Sequence, residues 1–184
     1  MPETAEARIR RWLDDCVLGL ELCPFAAPVV DAGSLRIAAS DAANPQSQLQ
    51  AFLLELDRLQ SADEDSIATT LLVLEQGPAD FQAFMTLVDA AQELLEEAGL
   101  DELFQLAHFH PAYLFDGESP EGVSHLTNRS PLPVIHLLRE SMLTRVLGSD
   151  PDAASIPDRN IARLESLSRQ ELQRRWPWLQ WDSE

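Results

Sequence analysis

A cysteine, three histidines and two arginines stand where their side chains could do chemistry. Cys23 lies in LCPFA, between the end of an apolar-faced helix and a proline. Pro24 holds the backbone beside it, and a thiol in such a turn can reach a cleft. There it would act as a nucleophile, a redox thiol or a metal ligand; packed half-buried in an apolar turn, it would do none of these. No second cysteine stands at C-x-x-C spacing, which excludes a thioredoxin-type pair. HFHP, residues 108–111, puts His108 and His110 on one face if the segment is extended, because residues i and i+2 of a strand point the same way. With His136 as a third nitrogen ligand and Cys23, Asp116 or Glu140 as a fourth, the set would suit zinc, or iron where a carboxylate joins. The alternative is that His110 caps the strand end and His108 faces solvent or a helix.

The densest stretch is HLTNRSPLPVIHLLRE, residues 125–140. Thr127, Asn128, Arg129 and Ser130 offer donors in a row, and an arginine grips a carboxylate or phosphate with two parallel hydrogen bonds. Arg139 adds a second positive charge, so the two arginines form one place where an acidic protein could hold an anionic substrate. The alternative is local: Asn128 and Ser130 bond the loop's own backbone, and Arg129 pairs with a surface acid. The phosphate-cradling, dinucleotide-binding and nucleophile-elbow motifs are absent, and with no lysine in the chain a Schiff base is excluded.

The elements that must position these groups follow from periodicity. Residues 3–20 read as an amphipathic helix with Cys16 on its apolar face, ending near Leu22 because Pro24 disfavours helical geometry at Cys23. SLRIAA (34–39) reads as a strand, Asn44-Pro45 as a helix start, and IATTLLVL (67–74) as a buried strand. A helix after Gly77-Pro78 stops at Gly99. LFQLAHF (103–109) reads as a strand, and 113–133 as loop. PVIHLLR admits either strand or helix; a strand at 133–138 followed by a helix at 140–147 is the preferred reading. Two helices follow, from Ser155-Ile156-Pro157 and from the capping box at Ser168, and Trp176, Trp178 and Trp181 close a core edge. This order predicts a single α+β or α/β domain over 1–184, in two layers, with a small sheet of three or four strands packed with helices, the ferredoxin-like arrangement included.

Composition narrows the partners. The chain has 184 residues, 45% of them hydrophobic, and a net charge of −18. Such a charge repels nucleic-acid phosphate and anionic lipid, so neither is an expected partner. No apolar run is long enough to span a membrane, and the N-terminal MPETAEARIRRW is not followed by a signal-type apolar stretch, so a cytoplasmic protein is expected.

Four motifs in order, LGLELCPFA, FHPAYLFDG, TNRSPLPVIHLLRE and IPDRN, resemble the bacterial domain-of-unknown-function family numbered 1415, over nearly the whole chain. That family has no established activity. The resemblance implies that Cys23, Pro24, Phe25, His110, Pro111, Tyr113, Asn128, Arg129, Ser130, Pro131, His136, Arg139, Glu140, Pro157, Arg159 and Asn160 belong to shared motifs, and that His108 and Cys16 do not. The leading expectation is an enzyme acting on a small anionic molecule. In it Cys23 is the nucleophile or redox thiol, His110 or His136 the base, and Tyr113, Asn128, Arg129, Ser130 and Arg139 hold or orient the carboxylate or phosphate. The alternatives are a mononuclear zinc or iron site of His110, His136 and Cys23, and a non-catalytic module that binds a small ligand or a protein partner. Cofactor and oligomeric state stay open.

Overall fold

The computed structural model describes residues 3–149 and 152–181. Helix α1 (Ala5–Trp12) starts at Thr4, whose hydroxyl accepts the Ala7 N–H, and continues as a wider π-helical turn over Leu13–Leu18. Ile9, Trp12, Leu13, Cys16 and Val17 are buried along one side, as the spacing predicts. The helical run stops earlier than Pro24 requires. Gly19 closes it: a Cβ there would meet the carbonyl oxygens of Asp14 and Asp15 at 2.8 Å. Glu21 then takes a left-handed backbone, φ 53°, which is costly for a residue with a side chain, and leads the chain into Leu22 and Cys23.

A short helix, α2 (Ala26–Asp31), follows. Its six residues include Pro28 and carry no amphipathic pattern, so periodicity does not announce it. Next come β1 (Leu35–Ser40), α3 (Pro45–Ser61), β2 (Thr69–Leu74), α4 (Phe81–Glu97) and β3 (Phe104–Phe109). A loop holding one 3-10 turn, Val123–Thr127, leads to β4 (Val134–Arg139), α5 (Glu140–Ser149), α6 (Ile156–Glu165) and α7 (Arg169–Arg175). The punctuation is what the sequence prescribes. Asn44 accepts the Ser47 N–H ahead of Pro45, Ser168 and Glu171 cap each other, and Gly99 takes a positive φ after α4. The ambiguous segment at 133–139 is a strand that passes directly into a helix.

The four strands form one mixed sheet in the order β1-β2-β4-β3. β1 and β2 run parallel, and β4 runs antiparallel to both of its neighbours. The α+β class and the small sheet are as expected, but two details differ. A parallel neighbouring pair rules out the ferredoxin-like plan, in which all neighbours are antiparallel. Helices also cover both faces, so the layers number three in all. On one face α3 and α4 pack over Leu72, Leu74, Ile135 and Leu137. On the other, α1, its π turn, α6 and α7 pack over Leu71, Val73 and Val134. The cause lies in β2, buried at all six of its residues: a strand apolar on both sides needs cover on both. Among the described residues no helix is long and apolar enough to cross a membrane.

Arg139 locks the second and third layers together. Its guanidinium lies 2.6 Å from the Leu59 carbonyl, 2.7 Å from that of Ala62 and 3.1 Å from that of Ile67. These are carbonyls of the C-terminal end of α3 and of the turn into β2, where helix geometry leaves acceptors unpaired. Removing the donor strands them. Arg139→Ala is therefore expected to lower the unfolding free energy by about 2–4 kcal/mol in urea titrations, and Arg139→Lys to restore only part of it, since an ammonium cannot reproduce the planar fork. An unchanged urea midpoint in the alanine variant would contradict this role.

Candidate functional site

Between the Leu71 face of the sheet and the segments that follow α1 lies a cavity of about 510 Å³. Its walls are mostly apolar. Trp12, Leu13 and Val17 come from α1 and the π turn, Phe25 and Val29 from the stretch around α2, and Leu71 and Leu138 from the sheet. π turns recur at functional sites because the widened turn re-aims its side chains, and here Leu13 and Val17 reach the cavity from one. Few polar groups interrupt the wall: Cys23, Thr69 and His136, with Glu118, Ser124, Thr127, Asn128 and Asn160. Among the described residues no arginine lines it.

Strand register places His136. It pairs with Leu71 of β2, and Val134 and Leu138 of the same strand pair with Val73 and Thr69, so all share the cavity face. A slip of one residue would turn His136 to the opposite face. Its protonation state follows from its neighbours. The Thr69 hydroxyl donates its one proton to the Leu137 carbonyl at 2.6 Å. The 2.7 Å contact between Thr69 Oγ1 and His136 Nε2 then requires Nε2–H to donate. Nδ1 is left with a lone pair, and the hydrogen bonds of the described residues give it no partner. Burial pushes the imidazole down to about 4, so it is neutral at pH 7, an acceptor aimed from an apolar wall.

Cys23 is placed by α6. The Asn160 side-chain amide donates to the Leu22 carbonyl at 2.8 Å, which ties the strained turn to that helix. Burial raises the Cys23 thiol above its ordinary value, against the opposing pull of the Phe25 and Ala26 N–H groups. The thiol is therefore protonated at pH 7. Cys16 is fully buried, bonds the Arg175 carbonyl at 3.3 Å and is pushed up to about 12; it is a core residue, as its spacing on α1 predicts.

The sequence candidates divide. Cys23, Asn128 and His136 line the cavity; His110, Tyr113, Arg129, Ser130 and Arg139 do not. His110 sits on the α4 side of the sheet, stacked on Phe84 at 5.0 Å. Its Nδ1 accepts the Ala112 N–H at 3.0 Å, so Nε2 carries the proton and donates to the Pro78 carbonyl at 2.9 Å. His108 shares that face, as alternation predicts, and stacks on Tyr113. Tyr113 is buried among Phe81, His108 and Phe115. Arg129 donates to the Tyr113 carbonyl, and its own carbonyl accepts the Trp176 indole N–H. Ser130 donates to the Leu132 carbonyl and Asn128 to the His108 carbonyl. The loop's donors thus serve its own backbone. His110 and His136 stand on opposite sides of the sheet, and among the described residues no three His, Cys, Asp or Glu side chains are grouped to share a metal.

Sequence reasoning missed Thr69, Glu118 and Ser124. Thr69 had a signal: two adjacent threonines interrupt an otherwise apolar strand, and a hydroxyl in such a place needs a partner. Glu118, in a loop rich in glycine and proline, had none. The last motif fares better, for Pro157 and Asn160 both stand in the cavity wall.

No curated protein and no solved structure matches this chain. A family model does, over residues 4–174 of the 184. With Cys23, Phe109, Phe115, Asn128, Pro157 and Asn160 gathered at one cavity and His136 in its floor, the four motifs converge on one place, and the chain belongs to the family described as protein of unknown function, DUF1415.

Proposed function

We propose that this protein binds a small, predominantly apolar molecule in the cavity over the sheet, with His136 Nδ1 accepting a hydrogen bond from the ligand and the Cys23 thiol standing beside it. The observation that carries the reading is the pairing of a largely apolar cavity with one inward-facing, unpartnered, neutral imidazole. A few well-placed polar groups in an apolar pocket are the usual composition of a small-molecule site. The setting is the bacterial cytoplasm, where both free cysteines stay reduced. A charge of −18 argues against nucleic acid and anionic membranes as partners.

A catalytic reading, with Cys23 as nucleophile and His136 as its base, draws on the presence of both groups in one wall. The resting ionisation opposes it. Moving the proton from a thiol whose ionisation burial disfavours to an imidazole held at about 4 runs uphill on both sides. Binding is the function that needs no such transfer. An anionic substrate held by Arg129 and Arg139 is not supported either, because both side chains bond carbonyls away from the cavity.

Three outcomes are expected. In thermal denaturation, aliphatic alcohols of medium length raise the midpoint of the wild-type chain. They fail to do so in Ala26→Phe, which fills the cavity from its α2 wall. A screen in which no apolar probe shifts the wild type would remove the reading.

The second concerns the thiol. At neutral pH, Cys23 is alkylated by iodoacetamide more slowly than the cysteine of a free peptide carrying LCPFA. Faster labelling would show an activated thiol and put the catalytic reading in place of binding.

The third concerns pH. His136 falls from 6.5 to about 4 on folding, so between those values the unfolded chain takes up the proton and the native one does not. The stability of the neutral residue is fully present above pH 6.5 and is lost as pH falls toward 4, about 3 kcal/mol in all. His136→Gln is expected to flatten the rise of stability with pH across that window, read from urea midpoints; an unchanged slope would place the titration elsewhere.

A further inference from the structure

Behind Cys23 lies a second hollow, of about 340 Å³, and its chemistry is the opposite of the first. Arg159 and Arg163 line it, one helical turn apart on α6, together with Glu21 and Asn160. The two hollows share a wall, since Cys23, Ile156 and Asn160 line both. An apolar chamber without any arginine thus adjoins a groove holding two, with a thiol at the junction. Arg163 is paired with Glu21 at 3.2 Å, and both side chains are well exposed, 48% and 79%. An exposed pair of that kind is weak, so an incoming anion can replace the carboxylate of Glu21. Sequence motif and geometry agree here: IPDRN, which the cavity alone uses only in part, places Pro157 and Asn160 at the chamber and Arg159 and Asn160 at the groove.

We propose that the ligand is an amphipathic monoanion, an aliphatic chain ending in a carboxylate, with its chain in the apolar cavity and its head at Arg159 and Arg163, passing Cys23. The proposal rests on the reading of the cavity as a small-molecule site and adds the substrate class. An arginine and a carboxylate make the stronger, charge-assisted kind of hydrogen bond. The apolar chamber excludes the charged end, because an unpaired carboxylate buried there would be heavily penalised. The two compartments therefore orient the molecule in one direction.

The test compares decanoate with decanol on the full chain by calorimetry, in the wild type, in Arg159→Gln/Arg163→Gln and in Ala26→Phe. Decanoate is expected to bind the wild type at least about tenfold more tightly than decanol, the worth of roughly one charge-assisted contact. The double variant, whose changes lie at exposed positions, is expected to bring decanoate to the level of decanol and leave decanol unchanged. Ala26→Phe is expected to abolish both. Glu21→Gln, which frees Arg163 from its partner, is expected to tighten decanoate alone. Decanoate is also expected to protect Cys23 from iodoacetamide. Equal binding of acid and alcohol, unaffected by the arginine changes, would overturn the head-group assignment while leaving the cavity reading standing. Decanoate binding that needs the arginines and ignores Ala26→Phe would show a simple anion site and overturn the two-compartment proposal. Binding of neither probe would remove the cavity reading and this proposal with it.

Discussion

The pairing of β2 with β4 is the constraint on which the site depends. Leu71 opposite His136, and Thr69 opposite Leu138, put an imidazole on the face of the sheet that the cavity covers. The same register brings the Thr69 hydroxyl between His136 and the Leu137 carbonyl. That hydroxyl has one proton and gives it to the backbone, so it decides which nitrogen of the ring carries hydrogen. A valine at position 69 would keep the shape of the strand and lose that decision. Burial then does the rest, since an imidazole with apolar neighbours and one satisfied N–H has no reason to charge at neutral pH.

The frame around the sheet is held by polar side chains that bond backbone carbonyls. Asn160 holds Leu22, Trp176 holds the carbonyl of Arg129, Arg129 holds Tyr113, and Arg139 holds the end of α3. The segment from His125 to Pro133 carries so many donors because it is irregular chain folded against the domain ahead of β4, where carbonyls need partners. His125 shows the same economy: its Nδ1 accepts the Phe115 N–H and its Nε2 donates to the Ser119 carbonyl. These side chains shape the neighbourhood of the cavity by bracing its frame.

Much of the fold was legible in the sequence. Asn44-Pro45, Gly99 and the Ser168 capping box marked helix ends by local chemistry, which survives folding unchanged. IATTLLVL announced a buried strand, but the expectation of two layers missed that such a strand needs cover on both faces. The site was legible in part. Cys23, Asn128 and His136, named from the sequence, line the cavity, whereas the side chains of Arg129 and Arg139, expected at an anionic ligand, bond backbone carbonyls. The difference is not local. Whether an arginine meets a substrate or a carbonyl depends on which strand lies beside it, and strand order is a property of the whole chain. His110 parts from His136 for the same reason: alternation put it beside His108, but only the insertion of β4 shows that His136 faces the other way.

That insertion has a consequence in time. β4 comes last among the strands in sequence and lies inside the sheet, between β2 and β3. A chain emerging from the ribosome can pair β1 with β2 early, across α3. β3 has no strand beside it until residues 134–139 arrive and fill the gap. The floor of the cavity is therefore completed late, by long-range contacts that must wait for most of the chain. Until then His136 has no Thr69 to hold it, the chamber has no floor, and the facing edges of β2 and β3 keep unpaired backbone groups.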